Sequence, residues 1–212
     1  MLHSRHAASA ILKERKVVVC PAFESMTKLS PENIAGLDEQ VQNGLAEAFH
    51  SSHFPQGHGP TQFEKFWEKS LNFPTTSSSD DMKDYFWEES YEIRHDEMFE
   101  PYIVMASADV PLYDERFQGY GLNKISHLAS VAALKDWEYL TLPGVFLVAP
   151  AHKRSISWGK IYGNPQSDEN KRNQLALKHL YNDFSKNLID GKSPVISRNT
   201  FLQKQRLLTR MG

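Results

Sequence analysis

One cysteine among 212 residues leaves no internal disulfide to be formed. Cys20 sits in an apolar stretch and reads as a small buried hydrophobe, not as a nucleophile. No run of about eighteen apolar residues occurs, so no segment is fit to cross a bilayer as a helix. The first fifteen residues, M-L-H-S-R-H-A-A-S-A-I-L-K-E-R, lack the apolar core of a secretory leader. An excess of basic charge is also missing. With 24 Lys and Arg against 26 Asp and Glu, the net charge of −2 argues against a general nucleic-acid binder. No G-x-S-x-G elbow supports an unrelated hydrolase of the α/β type. His50, His53 and His58 lie close together, but no cysteine accompanies them and their spacing fits no standard zinc signature.

What is present suits a sizeable core. Hydrophobic residues make up 40% of the chain and aromatics 11%, enough for one domain of this length. We read residues 1–190 as that domain and 191–212 as a peripheral basic tail without a core-forming pattern. His6 to Arg15 can form a short helix, and the β-branched Lys16 to Cys20 reads as a buried strand. Ser30 and Pro31 mark a helix start, with Ile34, Leu37, Val41, Leu45 and Phe49 along one face. Thr61 can cap a short helix that turns Phe63, Phe66 and Trp67 to the core. The tract from Pro74 to Asp81 is a polar connection. Strands are expected near Trp87 to Ile93, Tyr102 to Met105, Tyr139 to Leu142 and Val145 to Val148. Helices are expected over Asn123 to Leu134 and Asp168 to Leu188. Strands interleaved with helices predict an α/β class with a mixed sheet and flanking helices. Aromatics such as Tyr85, Phe86 and Trp87 could stack on sugar rings, but at these spacings they read first as core.

The densest chemistry lies between Phe99 and Lys124, in F-E-P-Y-I-V-M-A-S-A-D-V-P-L-Y-D-E-R-F-Q-G-Y-G-L-N-K. An apolar run gives way to a loop with Asp114, Glu115 and Arg116, then to two glycines, then to Asn123 and Lys124 opening a helix. Carboxylates, a guanidinium and an amide at a strand end can hold a polar substrate and take a proton from it. Adjacent side chains in extended backbone point apart, so only one of Asp114 and Glu115 can face a given atom. Asp114 is the first choice as base and Glu115 the second; either could instead pair with Arg116 or Lys124. Arg116, Asn123 and Lys124 suit a carboxylate, a phosphate or sugar hydroxyls, while Asn123 can equally cap the helix.

This block resembles the F-E-P-Y … P-x-Y-D-x-R-F-x-x-x-G-x-N-K segment of the LARGE-type glycosyltransferases, glycosyltransferase family 49. That family includes the glucuronyltransferases that extend matriglycan on α-dystroglycan. Three more stretches are similar in the same order. K-V-V-V-C-P-A-F-E (Lys16 to Glu24) resembles the strand ending in V-P-A-F-E. Q-G-H-G-P-T-Q-F-E-K-F-W (Gln56 to Trp67) resembles the G-H-x-P-T-x-F-x-K-W loop. L-P-G-V-F-L-V-A-P-A-H (Leu142 to His152) resembles the strand ending in L-P-x-x-F/Y-x-x-H.

The resemblance implies part of a nucleotide-diphospho-sugar transferase domain of the GT-A kind. It implies transfer of glucuronic acid or N-acetylglucosamine from a UDP-sugar to a glycan acceptor, in the Golgi lumen, with Mn2+ (manganese) as the ion. Asp114 and Glu115 take the catalytic positions; His58, Arg116, Asn123 and Lys124 take substrate-binding ones. In the family a D-x-D motif precedes the V-P-A-F-E strand and holds the metal with a histidine. This sequence contains no D-x-D. The aligned histidine position is Ala149, and the nearest imidazole, His152, is the candidate metal ligand. The stretch thus reads as the carboxyl-terminal half of such a domain, pairing with an upstream half. The alternative is a non-catalytic glycan-binding or partner-binding remnant without the donor and metal site. A half-sheet would expose an apolar edge and tend to associate.

Overall fold

The structure is a computed structural model that describes residues 14–28, 30–72, 87–134, 136–151 and 153–192. The expected helix from His6, the polar tract from Pro74 and nearly all of the basic tail lie outside these residues. The described residues form two compact units. One is drawn from Met1–Ala106 and Asp136–Ala151, the other from Ser107–Lys135 and His152–Gly212.

Three consecutive valines start the first unit. β-Branched side chains favour extended backbone, and strand β1 (Lys16–Cys20) buries Val17, Val18 and Val19 almost completely. Pro21 then interrupts the ladder, since proline has no N–H to donate. The chain resumes as β2 (Ala22–Ser25) in a second sheet. Five further strands complete the two sheets: β3 (Ala46–Ala48), β4 (Tyr91–Ile93), β5 (Tyr102–Val104), β6 (Glu138–Thr141) and β7 (Leu147–Ala149). The larger sheet has the order β4-β6-β1-β5, with β6 parallel to β1 and the outer pairs antiparallel. The smaller has the order β3-β2-β7, with β7 parallel to β2. The mixed α/β class expected from the alternation is thus observed. Lys16 and Glu138 form an ion pair at the start of the β1/β6 register.

Helix α1 (Ile34–Gln42) begins later and ends sooner than the apolar spacing suggested. Asn33, not Ser30, is the N-cap, and its side chain accepts from Gly36 N at 2.9 Å. Asn43 and Gly44 end the helix, with Gly44 at φ +67°, where glycine carries no steric cost. Leu45 and Phe49 therefore flank β3 instead of extending a helical face. Helix α2 (Phe63–Leu71) also departs from expectation at its start. Thr61 closes a 3-10 turn (Gly59–Thr61), and the N-cap is Gln62 in the left-handed region at φ 57°, with no side-chain cap. The aromatic face of α2 is core as expected. Phe23 of β2 meets Phe63, Phe66 and Trp67 at ring distances of 5.4, 6.0 and 5.4 Å, edge and tilted geometries that aromatic quadrupoles favour.

The second unit is helical. It contains α3 (Asn123–Ala132), α4 (Ile156–Tyr162) and α5 (Asp168–Ile189). The short α4 carries no apolar period and was not expected. Its last turn is completed from outside: the amides of Asn170, Asn173 and Gln174 on α5 donate to the carbonyls of Gly159, Lys160 and Ile161 at 3.0, 2.9 and 2.7 Å. Gly159 also accepts from Gly163 N at 3.0 Å, whereas Lys160 and Ile161 have carbonyls of the kind that a helix end leaves without an internal partner. Ser167 caps α5, and Asp168 and Glu169 in its first turn oppose the positive end of the helix dipole.

Candidate active-site loop

Two sets of motif residues are brought together, one in each unit. In the second unit the loop after Pro111 is fastened at three points. Arg116 Nε donates to both carboxylate oxygens of Asp114 at 3.0 and 3.1 Å, and Nη2 donates to Oδ2 at 2.7 Å. The other arm, Nη1, reaches Asp183 of α5 at 3.0 Å, and Arg116 N also donates to Asp114 Oδ1. A guanidinium fork of this kind fixes a carboxylate in place as well as in charge. Hydrogen bonding from Arg116 holds the Asp114 carboxyl below its ordinary range, against a smaller opposing effect of burial. The same contacts, with Asp114 first and Asp183 second, raise the Arg116 guanidinium further.

Asp114 is consequently a carboxylate kept ionised and occupied. Glu115 is exposed and makes no ion pair among the described residues. At the far end of the loop Gly119 and Gly121 adopt φ +80° and +102°, and Leu122, at φ 58°, holds the N-cap position of α3 without a side-chain bond. Asn123 is therefore the first helical residue and not the cap. Its Oδ1 accepts from Lys124 N at 2.9 Å, and its Nδ2 approaches the Gly119 carbonyl at 3.5 Å. Lys124 is half-buried at the same turn.

Beneath the loop lies a residue that the sequence reading missed. His127 of α3 is buried; its Nε2–H donates to the Pro111 carbonyl at 3.0 Å, and its ring lies flat on Tyr113 at 3.8 Å with a 5° interplanar angle. The carbonyl can only accept, so this contact sets the tautomer. Burial lowers the His127 pKa, while the bond to Pro111 opposes the shift. The available signal was its place in the buried stripe of α3 beside Leu128 and Val131, where a polar side chain needs a partner. Asp183 gave no such signal, because its partner is 67 residues away.

In the first unit the V-C-P-A-F-E strand, the G-H-G-P-T loop and the F-E-P-Y block converge. Glu24 Oε1 accepts from His50 N at 2.9 Å, His50 Nδ1 lies 3.4 Å from Glu100 Oε1, and Glu100 N donates to the Gly57 carbonyl at 2.8 Å. His58, 2% exposed, has its ring 5.4 Å from that of Phe49 and 6.4 Å from that of Tyr102. The His58 side chain, expected to bind substrate, is thus enclosed within the loop's own packing. A Cβ at Gly57 would come within 2.5 Å of Phe54 Cδ1, so a larger residue there would displace the Phe54 ring.

Ala149 ends β7 with no side-chain atom able to bind a metal, and His152 lies outside the described residues. Among the described residues no three or more of His, Cys, Asp and Glu are grouped so as to hold an ion. The donor set described does not fit the manganese that the resemblance implies, and no chemical step is routed through it.

The family model described as "Glycosyl-transferase for dystroglycan" matches residues 1–188. The chain belongs to glycosyltransferase family 49. This family 49 chain is 31% identical over 176 residues to the xylosyl- and glucuronyltransferase LARGE1 of Danio rerio, a match covering 82% of the chain and 20% of that protein. The corresponding Homo sapiens protein is 28% identical over the same coverage. The glycosyltransferase-like protein LARGE of Caenorhabditis elegans is 26% identical over 182 residues, 82% of the chain and 25% of that protein. The chain thus spans about a fifth to a quarter of the length of these relatives. No described helix is long and apolar enough to cross a membrane.

Proposed function

We propose that this family 49 chain supplies the acceptor-side part of a glycosyltransferase that moves a sugar from a UDP donor to a hydroxyl of a glycan. Glucuronic acid is the sugar put first, in keeping with the glucuronyltransferase part of the relatives' names; N-acetylglucosamine is the second. The reading places the chain in the Golgi lumen. The observation that carries it is the Asp114–Arg116–Asp183 clamp within a loop of a family member, since it rigidifies a loop while leaving one carboxylate exposed.

In the transfer, the acceptor oxygen forms a bond to the anomeric carbon while the bond from that carbon to the diphosphate oxygen breaks. The nucleoside diphosphate leaves with the electron pair, and the acceptor proton passes to a carboxylate. Of the two loop acids, geometry favours Glu115 over Asp114. An acid held ionised by Arg116 is the weaker proton acceptor, whereas Glu115 faces solvent. Asp114 and Arg116 then position the loop, and Asn123 and Lys124 at the start of α3 bind acceptor or donor oxygens. His127 and Tyr113 support the loop from below.

A second reading is a non-catalytic glycan-binding or partner-binding remnant. Ala149 at the aligned ligand position and the missing D-x-D favour it. Loss of sugar transfer on Glu115→Gln in enzyme that carries this chain separates the two, since a remnant leaves transfer unchanged; thermal unfolding of the chain with UDP, with and without manganese, tests for a donor site, because a ligand that binds only folded protein raises its melting temperature. A manganese-dependent rise supports donor binding by this chain. No shift in a well-folded sample refutes it and leaves the acceptor-side or remnant reading.

A further inference from the structure

We infer that the first unit carries a binding groove for a neutral, hydroxyl-rich saccharide, formed by the G-H-G-P-T-Q loop and β4. This rests on the reading that the chain acts on glycans. The groove is open and has a volume of about 820 Å³, within the range of small-molecule sites, about 300–1,000 Å³.

Its construction follows from the sequence Y-E-I-R-H-D. Alternation along extended backbone sends Tyr91, Ile93 and His95 inward and Glu92, Arg94 and Asp96 outward. The inward residues are anchored. Tyr91 Oη donates to the Thr61 carbonyl at 2.9 Å, tying β4 to the opposite loop, and the His95 ring lies 6.1 Å from both Phe99 and Tyr139. The outward residues, with Gln56 and Gln62 across the groove, make a row of alternating acceptors and donors. Arg94 is exposed and has no ion pair among the described residues, although Glu92 and Asp96 flank it. Gln62 is held at φ 57°, a conformation that non-glycine residues adopt at a cost and that recurs at ligand clamps.

The chemistry of the row selects its ligand. Carboxylates accept from sugar hydroxyls, the guanidinium donates to hydroxyl and ring oxygens, and the two amides do both. Two acids against one base disfavour an anionic ligand. β4 is also an edge of its sheet, so among the described residues no strand pairs with its outer side.

The test is two-dimensional amide NMR of the 212-residue chain titrated with xylobiose, a neutral saccharide, and in parallel with methyl glucuronide, an anionic one. Xylobiose should shift the amides of residues 56–62 and 92–96 in the millimolar range, with the glucuronide binding more weakly. Arg94→Gln should weaken xylobiose on the order of tenfold, the loss of a charged hydrogen bond, at an unchanged melting temperature. Gln62→Ala serves as a second variant on the opposite wall, also expected to bind more weakly. Equal or tighter glucuronide binding overturns the neutral-ligand assignment. Shifts confined to other residues, or full binding by both variants, overturn the groove. Saccharide binding without any UDP effect would refute donor use while leaving the groove intact, so the two readings fail separately.

Discussion

Replacing Gly121 by alanine tests how the candidate active-site loop is built. Gly121 sits at φ +102°, and a Cβ there would come within 2.7 Å of Leu177 Cδ2 on α5. The backbone contribution is the larger of the two, because an L-residue held in such a conformation costs about 1–3 kcal/mol. The contact is cheaper, since Leu177 Cδ2 is the end of a flexible side chain that can rotate away. We expect Gly121→Ala to destabilise the chain by about 2 kcal/mol, or roughly 4–8 °C in melting temperature for a chain of this size. A double-mutant cycle with Leu177→Ala apportions the loss. A coupling below about 0.5 kcal/mol means the contact is absorbed and the backbone dominates, whereas a coupling near the full loss means the contact dominates. Urea unfolding followed by circular dichroism gives the numbers. A Gly121→Ala variant as stable as the parent would refute the argument that this loop enters α3 through a strained turn.

Other consequences can be measured alongside. Glu115→Gln should abolish transfer by active enzyme carrying this chain while leaving the melting temperature unchanged; Asp114→Asn should lower activity and also loosen the loop, and retention of activity by Glu115→Gln would remove it as base. The Asp114 carboxyl is lowered in the folded state, so its stabilisation is present above its ordinary value of 3.8 and is lost as pH falls below that value; Asp114→Asn should flatten this acid limb of the stability profile. His127 and His95 are both lowered by burial. Below 6.5 the unfolded chain then binds protons that the folded chain refuses, so stability should fall as pH drops through that window, and His127→Asn should remove part of the slope. Burial pushes the Cys20 thiol up to about 11, so iodoacetamide at pH 8 should modify it only in unfolded protein.

Local pattern accounts for much of this architecture. Three valines in a row and the aromatic spacing of Phe63, Phe66 and Trp67 identify β1 and the inward face of α2, because burial follows the strand and helix periods. The four motif blocks identify the family, and the acidic loop with its arginine was legible as a place for proton chemistry. Short-range cues failed where a neighbour supplied what the segment lacked. Helix α4 has no apolar stripe and is completed by three amides from α5, and the extent of α1 was misjudged because Leu45 and Phe49 continued its spacing past Asn43 and Gly44. Assigning Asn123 as a cap was reasonable from residue type, but Leu122 takes that position because two positive-φ glycines deliver the chain there.

Sequence alone determined the α/β class, the identity of the loop acids and the absence of a D-x-D, all properties of residue order. Tertiary structure decided where the free arm of Arg116 goes, to Asp183 of α5 at 3.0 Å, while the other contacts of Arg116 close on Asp114 two residues away. It likewise decided that His127 supports the loop and that His58 is interior. Those outcomes depend on groups separated along the chain meeting in space, through a hydrogen bond for Arg116 and His127 and through ring contacts for His58, which no local pattern encodes.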